Sequence, residues 1–343
     1  MLNFCTLFDI NYLSRGLALY ESLERNCASF HLYIFPFDDK ALEILLSLNL
    51  KHATIVSLKE FEDEELLKLK SGRTPVEYCW TCTPSIILYS LEKFNLDFCT
   101  YLDADTYFFS DPLALFDEFK SDISIIITQH RYTPKYDATK ESGKYCVQFV
   151  TIRNDGDGLK ALKWWRQQCN EWCYFRYEEG RLGDQKYLDD WLTRFNGVHE
   201  LAHLGGGLAP WNVQQYDIFQ KGAVVAGIEK TSGLEFKAVF FHFHALKFYD
   251  NGTVKLNNDH DTSFSVRKLI YKPYITHIIE ICRRIGEKWP GVDVNATIKG
   301  GGGDSASIFE RIKNIIRRKR YEAYSVYNIV EFEGLWRYMS WHV

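Results

Sequence analysis

The chain has 343 residues, 46% of them hydrophobic, and a formal net charge of −4. That length exceeds what one minimal core needs, so one large domain, or one domain with an appendage, is expected. The mildly acidic balance argues against broad nucleic-acid binding, and no apolar run reaches the roughly 18–20 residues needed to cross a bilayer.

Leu2 to Phe8 reads as a first strand, ending at the turn-like Asp9-Ile10-Asn11-Tyr12. Met1 to Ile10 has no basic residue ahead of its apolar stretch and already holds Asp9, unlike a secretory leader. With no such leader, the nine cysteines are expected to be reduced thiols in a cytoplasmic protein. Gly16 to Leu23 has helical spacing, Phe30 to Phe35 is a second strand, Lys40 to Leu50 a helix and Ala53 to Leu58 a third strand. Phe61 to Lys70 runs from acidic to basic, favourable for a helix dipole. Pro84 suits the first turn of a helix reaching about Phe94. Cys79 and Cys82 form a lone Cys-x-x-Cys, expected to be buried thiols on a helix. Phe98 to Leu102 and Ile123 to Thr128 read as further strands. Strands alternating with helices predict an α/β domain with a mostly parallel sheet flanked by helices.

Cys146 to Ile152 reads as a strand, Asp157 to Tyr177 as a long amphipathic helix, and Gly183-Asp184-Gln185 as the opening of another helix. Gly205 to Gly207 reads as a tight connection before Trp211 and Asn212, and Ala238 to His244 as a strand. The domain is expected to span 1–260, with a helical extension over 261–343 that contains Tyr274 to Ile285, a glycine linker and Ser305 to Tyr321.

The chemistry concentrates at Thr100 to Phe109, where Asp103 and Asp105 flank one alanine between apolar and aromatic residues. Residues two apart on a strand share a face. Two carboxylates so placed are costly unless something neutralises them. A divalent cation bound by oxygen, together with substrate phosphates, would do so. In parallel sheets ligands bind beyond the carboxyl ends of strands, where this pair stands.

Taken in order, Phe4-Cys5-Thr6 with Asp9 to Tyr12, Asp103-Ala104-Asp105, Asp184-Gln185 and His242-Phe243-His244 resemble the glycosyltransferases of the GT-A fold, a Rossmann-like α/β architecture. The likeness is to the glycogenin-like and galactosyltransferase-like family 8, over roughly residues 1–250. It implies transfer of a sugar from a nucleoside diphosphate sugar, UDP-linked, to a glycan or lipid-linked hydroxyl, with retention and with manganese or magnesium. It also implies that Asp103 and Asp105 hold the metal, Asp103 also reaching the ribose or sugar. One imidazole would join them, His242 matching the motif better and His244 being the close alternative, and Lys247 would meet the diphosphate. Thr6, Asp9 and Tyr12 would cradle the nucleoside. Asp184 and Gln185 would face the donor sugar, although Asp184 also suits a plain helix N-cap. Arg15 could reach phosphate or be solvated.

Three departures from the family pattern stand out. Ala245 replaces a glycine and Lys247 lies one residue early. Thr83-Pro84-Ser85 lacks the expected cation. Cys146-Val147-Gln148 replaces an Asn-Ala/Ser-Gly stretch, with Gln148 a substitute for its hydrogen bonds to the donor sugar. The last two keep open a nucleotide-sugar-binding scaffold with a decayed site. A sugar-nucleotide nucleotidyltransferase is disfavoured, because no glycine-rich basic loop follows the first strand. In the tail, Ile308, Phe309, Ile312, Ile315 and Ile316 form one helical face beside dense positive charge over 311–320. Such a helix could lie on an anionic surface at the inner face of a bacterial plasma membrane, where a surface polysaccharide is assembled on lipid, or equally dock on its own domain with a solvated basic face.

Overall fold

The computed structural model describes residues 1–250, 252–299, 329–333 and 337–338. Its centre is a seven-stranded sheet of order β3-β2-β1-β4-β7-β6-β8. The strands are β1 (Leu2–Phe8), β2 (Phe30–Pro36), β3 (Ala53–Ile55), β4 (Phe98–Leu102), β6 (Ile125–Gln129), β7 (Tyr145–Arg153) and β8 (Val198–Glu200), with the short β5 (Thr106–Phe108) outside it. Within this sheet only β7 runs against its neighbours; the other adjacent pairs are parallel. The fold is therefore mixed α/β, with a mostly parallel sheet flanked by helices. β1, β4 and β7 are buried almost throughout, as near-continuous apolar strands in a covered sheet must be.

Helices α1 (Leu13–Asn26), α2 (Asp39–Leu48), α3 (Pro75–Lys93) and α4 (Gly156–Glu171) supply the flanking layers. α3 begins nine residues earlier than Pro84 suggested, because Thr74 and Glu77 form a reciprocal capping box with Pro75 in the first turn. Pro84 is an interior residue of that helix. The stretch expected as one helix over Phe61 to Lys70 is two, Leu58–Phe61 and Glu64–Lys70, each with its own cap at Ser57 or Asp63. α4 ends at Glu171 rather than Tyr177, and Trp172 is already extended. Beyond it the chain closes a loop through Gly183 N–H to Tyr174 O at 3.1 Å. Guanidinium groups stack on that loop's rings, Arg73 over Tyr174 at 4.0 Å and Arg181 over Trp172 at 4.7 Å. Contacts of that kind stabilise the loop in place of another helical turn.

A three-stranded antiparallel sheet, β9 (Tyr216–Lys221), β10 (Val224–Glu229) and β11 (Glu235–Lys237), follows, and β12 (Phe240–His242) then returns to pair with β5. Regular pairing of β12 covers less than the expected Ala238 to His244. After residue 260, helix α5 (Lys272–Lys288) packs on α1. Its buried residues Tyr274, Ile275, Ile278 and Ile281 belong to the same apolar core as Phe4 and Leu17. No helix among the described residues is long and apolar enough to cross a membrane. The expected helix over 305–321, with its basic and apolar faces, lies outside the described residues.

Candidate functional site

Strand register builds the site. β1 and β4 are parallel neighbours with Cys5 opposite Tyr101, so the segments after both strands emerge on one rim of the sheet. Asp103 to Asp105 form a tight turn between β4 and β5, closed by Thr106 N–H and Thr106 Oγ1 donating to Asp103 O at 3.0 and 2.8 Å. The two carboxylates thus sit on a turn rather than on alternate positions of a strand. β12 pairs antiparallel with β5, His242 opposite Thr106. Phe243 N–H donates to Asp105 O at 2.9 Å. That register lays His242 directly across the acidic turn. Its Nε2 lies 3.1 Å from Asp105 Oδ1 and 3.7 Å from Asp103 Oδ2. β7 completes the group from the other side. Asp103 N–H donates to Gln148 O at 3.3 Å, and Gln148 Oε1 lies 2.8 Å from His242 Nδ1. The Cys146 thiol is 4.0 Å from the same ring nitrogen.

The electrostatics follow from burial and this proximity. Burial lifts Asp103 above the ordinary carboxylate value, opposed by His242 and reinforced by Asp105. Burial acts on Asp105 too, but the adjacent His242 outweighs it and holds that carboxyl below the ordinary value. Burial opposes charge on His242, yet Asp105 raises it well above a normal imidazole. One imidazole is therefore offsetting part of the charge of two carboxylates. An octahedral ion bonded to oxygen at about 2.1 Å has adjacent ligands about 3.0 Å apart. The 3.1 Å separation between Asp105 Oδ1 and His242 Nε2 equals one such edge, and equally the length of the ion-paired hydrogen bond that links them. Asp103, Cys146 and His242 also lie close enough together to share an ion.

The remaining expected residues fall into distinct environments. His244 lies past the end of β12 and is exposed, its ring 5.7 Å from that of His242 and at 80° to it. Although one side of the residue is open to solvent, the protein packed about its ring, with the charge on His242, holds it below the ordinary value. Ala245 has φ +62°, the left-handed conformation that glycine tolerates and alanine resists. Lys247 is exposed. Thr6 is fully buried and its hydroxyl has no hydrogen-bond partner among the described residues. Asp9 closes an Asx turn, accepting from Asn11 N–H at 3.0 Å and Asn11 Nδ2 at 2.8 Å. Tyr12 is partly exposed, with the Arg15 guanidinium 4.5 Å over its ring. Arg15 itself is not solvated. It is buried, and donates to Asn295 Oδ1 at 2.9 Å, Asn295 O at 3.2 Å, Leu246 O at 3.1 Å and Asn11 O at 3.3 Å. Its charge helps lower Asp105.

Asp184 does not cap the helix after it. No cap hydrogen bond forms, the side chain is buried, and Oδ2 has no partner among the described residues. Burial, opposed by the Thr83 hydroxyl and reinforced by Asp103, raises its pKa to about 7. Gln185 Nε2 donates to Ser142 O at 2.9 Å. The cation missing from Thr83 to Ser85 is met partly by Arg166, whose Nε donates to Ser85 Oγ at 3.0 Å. Arg166 is itself paired with Asp63 and Glu65 at 2.5 and 3.0 Å.

Two neighbours of the site went unread in the sequence. Tyr101 donates its hydroxyl to Asp103 Oδ1 at 2.9 Å. His130 stacks on Tyr132 at 4.6 Å and is held near pKa 3, chiefly by burial. The Tyr101 contact was legible, since Tyr101 stands two residues before Asp103, which directly follows the end of β4. His130 carried no signal, because only the fold brings β6 beside β7. Trp211 is buried among His130, His242 and His244 and donates Nε1 to His130 O at 2.9 Å. A cleft of about 480 Å³ lined by Arg25, Tyr107, Lys272 and Glu280 lies apart from the carboxylate pair.

The chain is 33% identical over 290 residues to the uncharacterized protein YfnD of Bacillus subtilis (strain 168), a match covering 80% of this chain and 88% of that protein. The chain belongs to the YfnD family. The uncharacterized protein YfnF of the same organism is 28% identical over 298 residues, covering 84% of this chain and 96% of that one. No protein-family profile matches. Solved structures of similar shape include mouse xyloside xylosyltransferase 1 in its apo form, at 12% identity and TM-score 0.42, covering 61% of this chain and 87% of that chain. The galactosyltransferase LgtC in complex with donor and acceptor sugar analogs matches at 14% identity and TM-score 0.38, covering 61% of this chain and 76% of that chain. At TM-scores below 0.5 these likenesses decide neither fold nor function for this member of the YfnD family.

Proposed function

We propose that this protein is a metal-dependent glycosyltransferase of the GT-A type. It transfers a sugar from a nucleoside diphosphate sugar, UDP-linked, to a hydroxyl of a glycan or glycolipid, with retention by its resemblance to family 8. The observation that carries this reading is the meeting of Asp103, Asp105 and His242 at the strand rim, from two distant parts of the chain. Asp103, Asp105 and His242 Nε2 would hold the cation, and His244, exposed beyond the strand end, has the weaker claim. A divalent ion there supplies charge neutralisation for a departing nucleoside diphosphate.

The chain's own residues have separable tasks. Thr6 has a free hydroxyl for the nucleoside beside β1. Asp9 and Tyr12 shape that end, and the charge of buried Arg15, which pairs with no carboxylate among the described residues, helps lower Asp105. Lys247, exposed, is free to meet the diphosphate. The unpartnered Oδ2 of Asp184 would accept a hydrogen bond from a donor-sugar hydroxyl, with Gln185 beside it. Trp211, Tyr132 and Tyr136 pack together against Cys146, on the β7 side of the site.

The lack of a free cation near Ser85 among the described residues favours one second reading, a scaffold that binds nucleotide sugar without turning it over. Donor hydrolysis over a panel of nucleotide sugars with manganese separates the two. Turnover of any donor, lost in Asp105→Ala, supports the enzyme. Metal-dependent binding with no turnover supports the scaffold.

A further inference from the structure

We propose that Gln148 is a positioning residue for His242, holding a proton on Nδ1 so that the other ring nitrogen is presented to Asp103 and Asp105. The sequence suggested a donor-sugar role for Gln148; its side-chain oxygen instead faces the imidazole at 2.8 Å. Gln148 is fully buried in the middle of β7, among Val147, Phe149 and Val150. An amide in such surroundings is costly unless it is hydrogen-bonded. Yet only one end of this amide is served, because Nε2 has no partner among the described residues. Self-satisfaction therefore does not account for the residue, whereas the contact with His242 does.

The fold makes room for this amide at a second position. Gly207 has φ +93°, and a Cβ there would lie 3.0 Å from Gln148 Nε2 and 2.7 Å from Thr128 Cγ2. The Gln148 main chain also takes part, since its carbonyl accepts from Asp103 N–H at 3.3 Å. One residue of β7 thus sets both the acidic turn and the imidazole facing it. An imidazole offers a lone pair at one nitrogen only when the proton resides on the other. An amide oxygen at Nδ1 selects that arrangement. Such partners typically change metal affinity by about 10–100-fold when removed.

The proposal rests on His242 as the metal-binding imidazole, but its first test does not. Long-range ¹H–¹⁵N spectra of histidine-labelled, metal-free full chain, with the His242 signal identified by His242→Ala, report which ring nitrogen carries hydrogen. While His242 is the imidazolium that Asp105 favours, both nitrogens carry hydrogen. The spectra are therefore followed upward in pH until the ring holds one proton. A proton kept on Nδ1 is expected, and one kept on Nε2 overturns the proposal whatever the variants do. Free-manganese EPR titration then compares variants. Gln148→Leu should weaken manganese binding by about 10–100-fold and shift the Nδ1 resonance, and Gln148→Glu should restore both. Unchanged affinity and spectrum in Gln148→Leu refute the role. If His242→Ala itself leaves manganese binding intact, the metal reading fails, and the spectrum alone decides what Gln148 does.

Discussion

Asp105 Oδ1 and His242 Nε2 face each other at 3.1 Å across the β5–β12 pairing. Neither would be stable alone in so buried a place, since an unpaired buried charge is costly. The ring offsets part of the acidic charge that a divalent cation would offset in its place.

Asp105→Ala should therefore abolish manganese-dependent nucleotide binding without unfolding the chain. Titration calorimetry with UDP, with and without manganese, checks this, alongside circular dichroism. Binding that persists at wild-type strength would remove the metal assignment.

The pH dependence of stability should carry the signature of Asp184. Its folded-state pKa, raised to about 7, lies above the ordinary carboxylate value. The native state thus prefers the protonated acid. Its contribution is fully present below the unfolded-state pKa near 3.8 and is lost as pH rises through about 7. Asp184→Asn should remove that loss, so its stability relative to wild type should grow between about pH 4 and pH 7 and level off above. The gain is at most about 1.4 kcal/mol for each tenfold difference in proton affinity between the folded and unfolded chain. Urea melts at a series of pH values would show parallel curves for the two proteins if the argument is wrong.

Ala245 occupies the left-handed region at φ +62°. Ala245→Gly should stabilise the protein by about 0.5–1 kcal/mol, because the strain removed exceeds the entropy added to the unfolded chain. Ala245→Val should do the reverse. Denaturant midpoints distinguish the two directions.

Tyr274 on α5 stacks on Phe243 with ring centroids 3.8 Å apart and is fully buried. Tyr274→Ala should cost about 3–5 kcal/mol. Its hydroxyl has no partner among the described residues, so Tyr274→Phe should be neutral or stabilising. A truncation at residue 260 should fail to fold, since it bares the Phe243 face. A soluble, cooperatively melting 1–260 fragment would show that α5 is dispensable.

Much of this was legible from local pattern. Apolar runs such as Leu2 to Phe8 and Phe98 to Leu102 marked central strands, because a buried strand needs apolar side chains on both faces. Asp103 and Asp105 stood out because paired acids inside such a run demand a neutralising partner. Helix limits were read less well. Pro84 drew attention as a start signal, while the Thr74–Glu77 capping box set the true start. Asp184 suited a cap, yet the fold buries it with one oxygen unpaired.

The sequence by itself determined the α/β alternation, the acidic doublet and the pair of histidines in reserve. Only tertiary structure laid His242 rather than His244 beside Asp105, because strand register, not spacing, sets which imidazole lies across from Thr106. It alone turned Gln148 toward that ring and buried Arg15 against Asn295. The physical reason is common to all three. Side-chain type and local period are encoded in neighbouring residues, whereas the partner of a buried polar group is fixed by which distant strand or loop is hydrogen-bonded beside it.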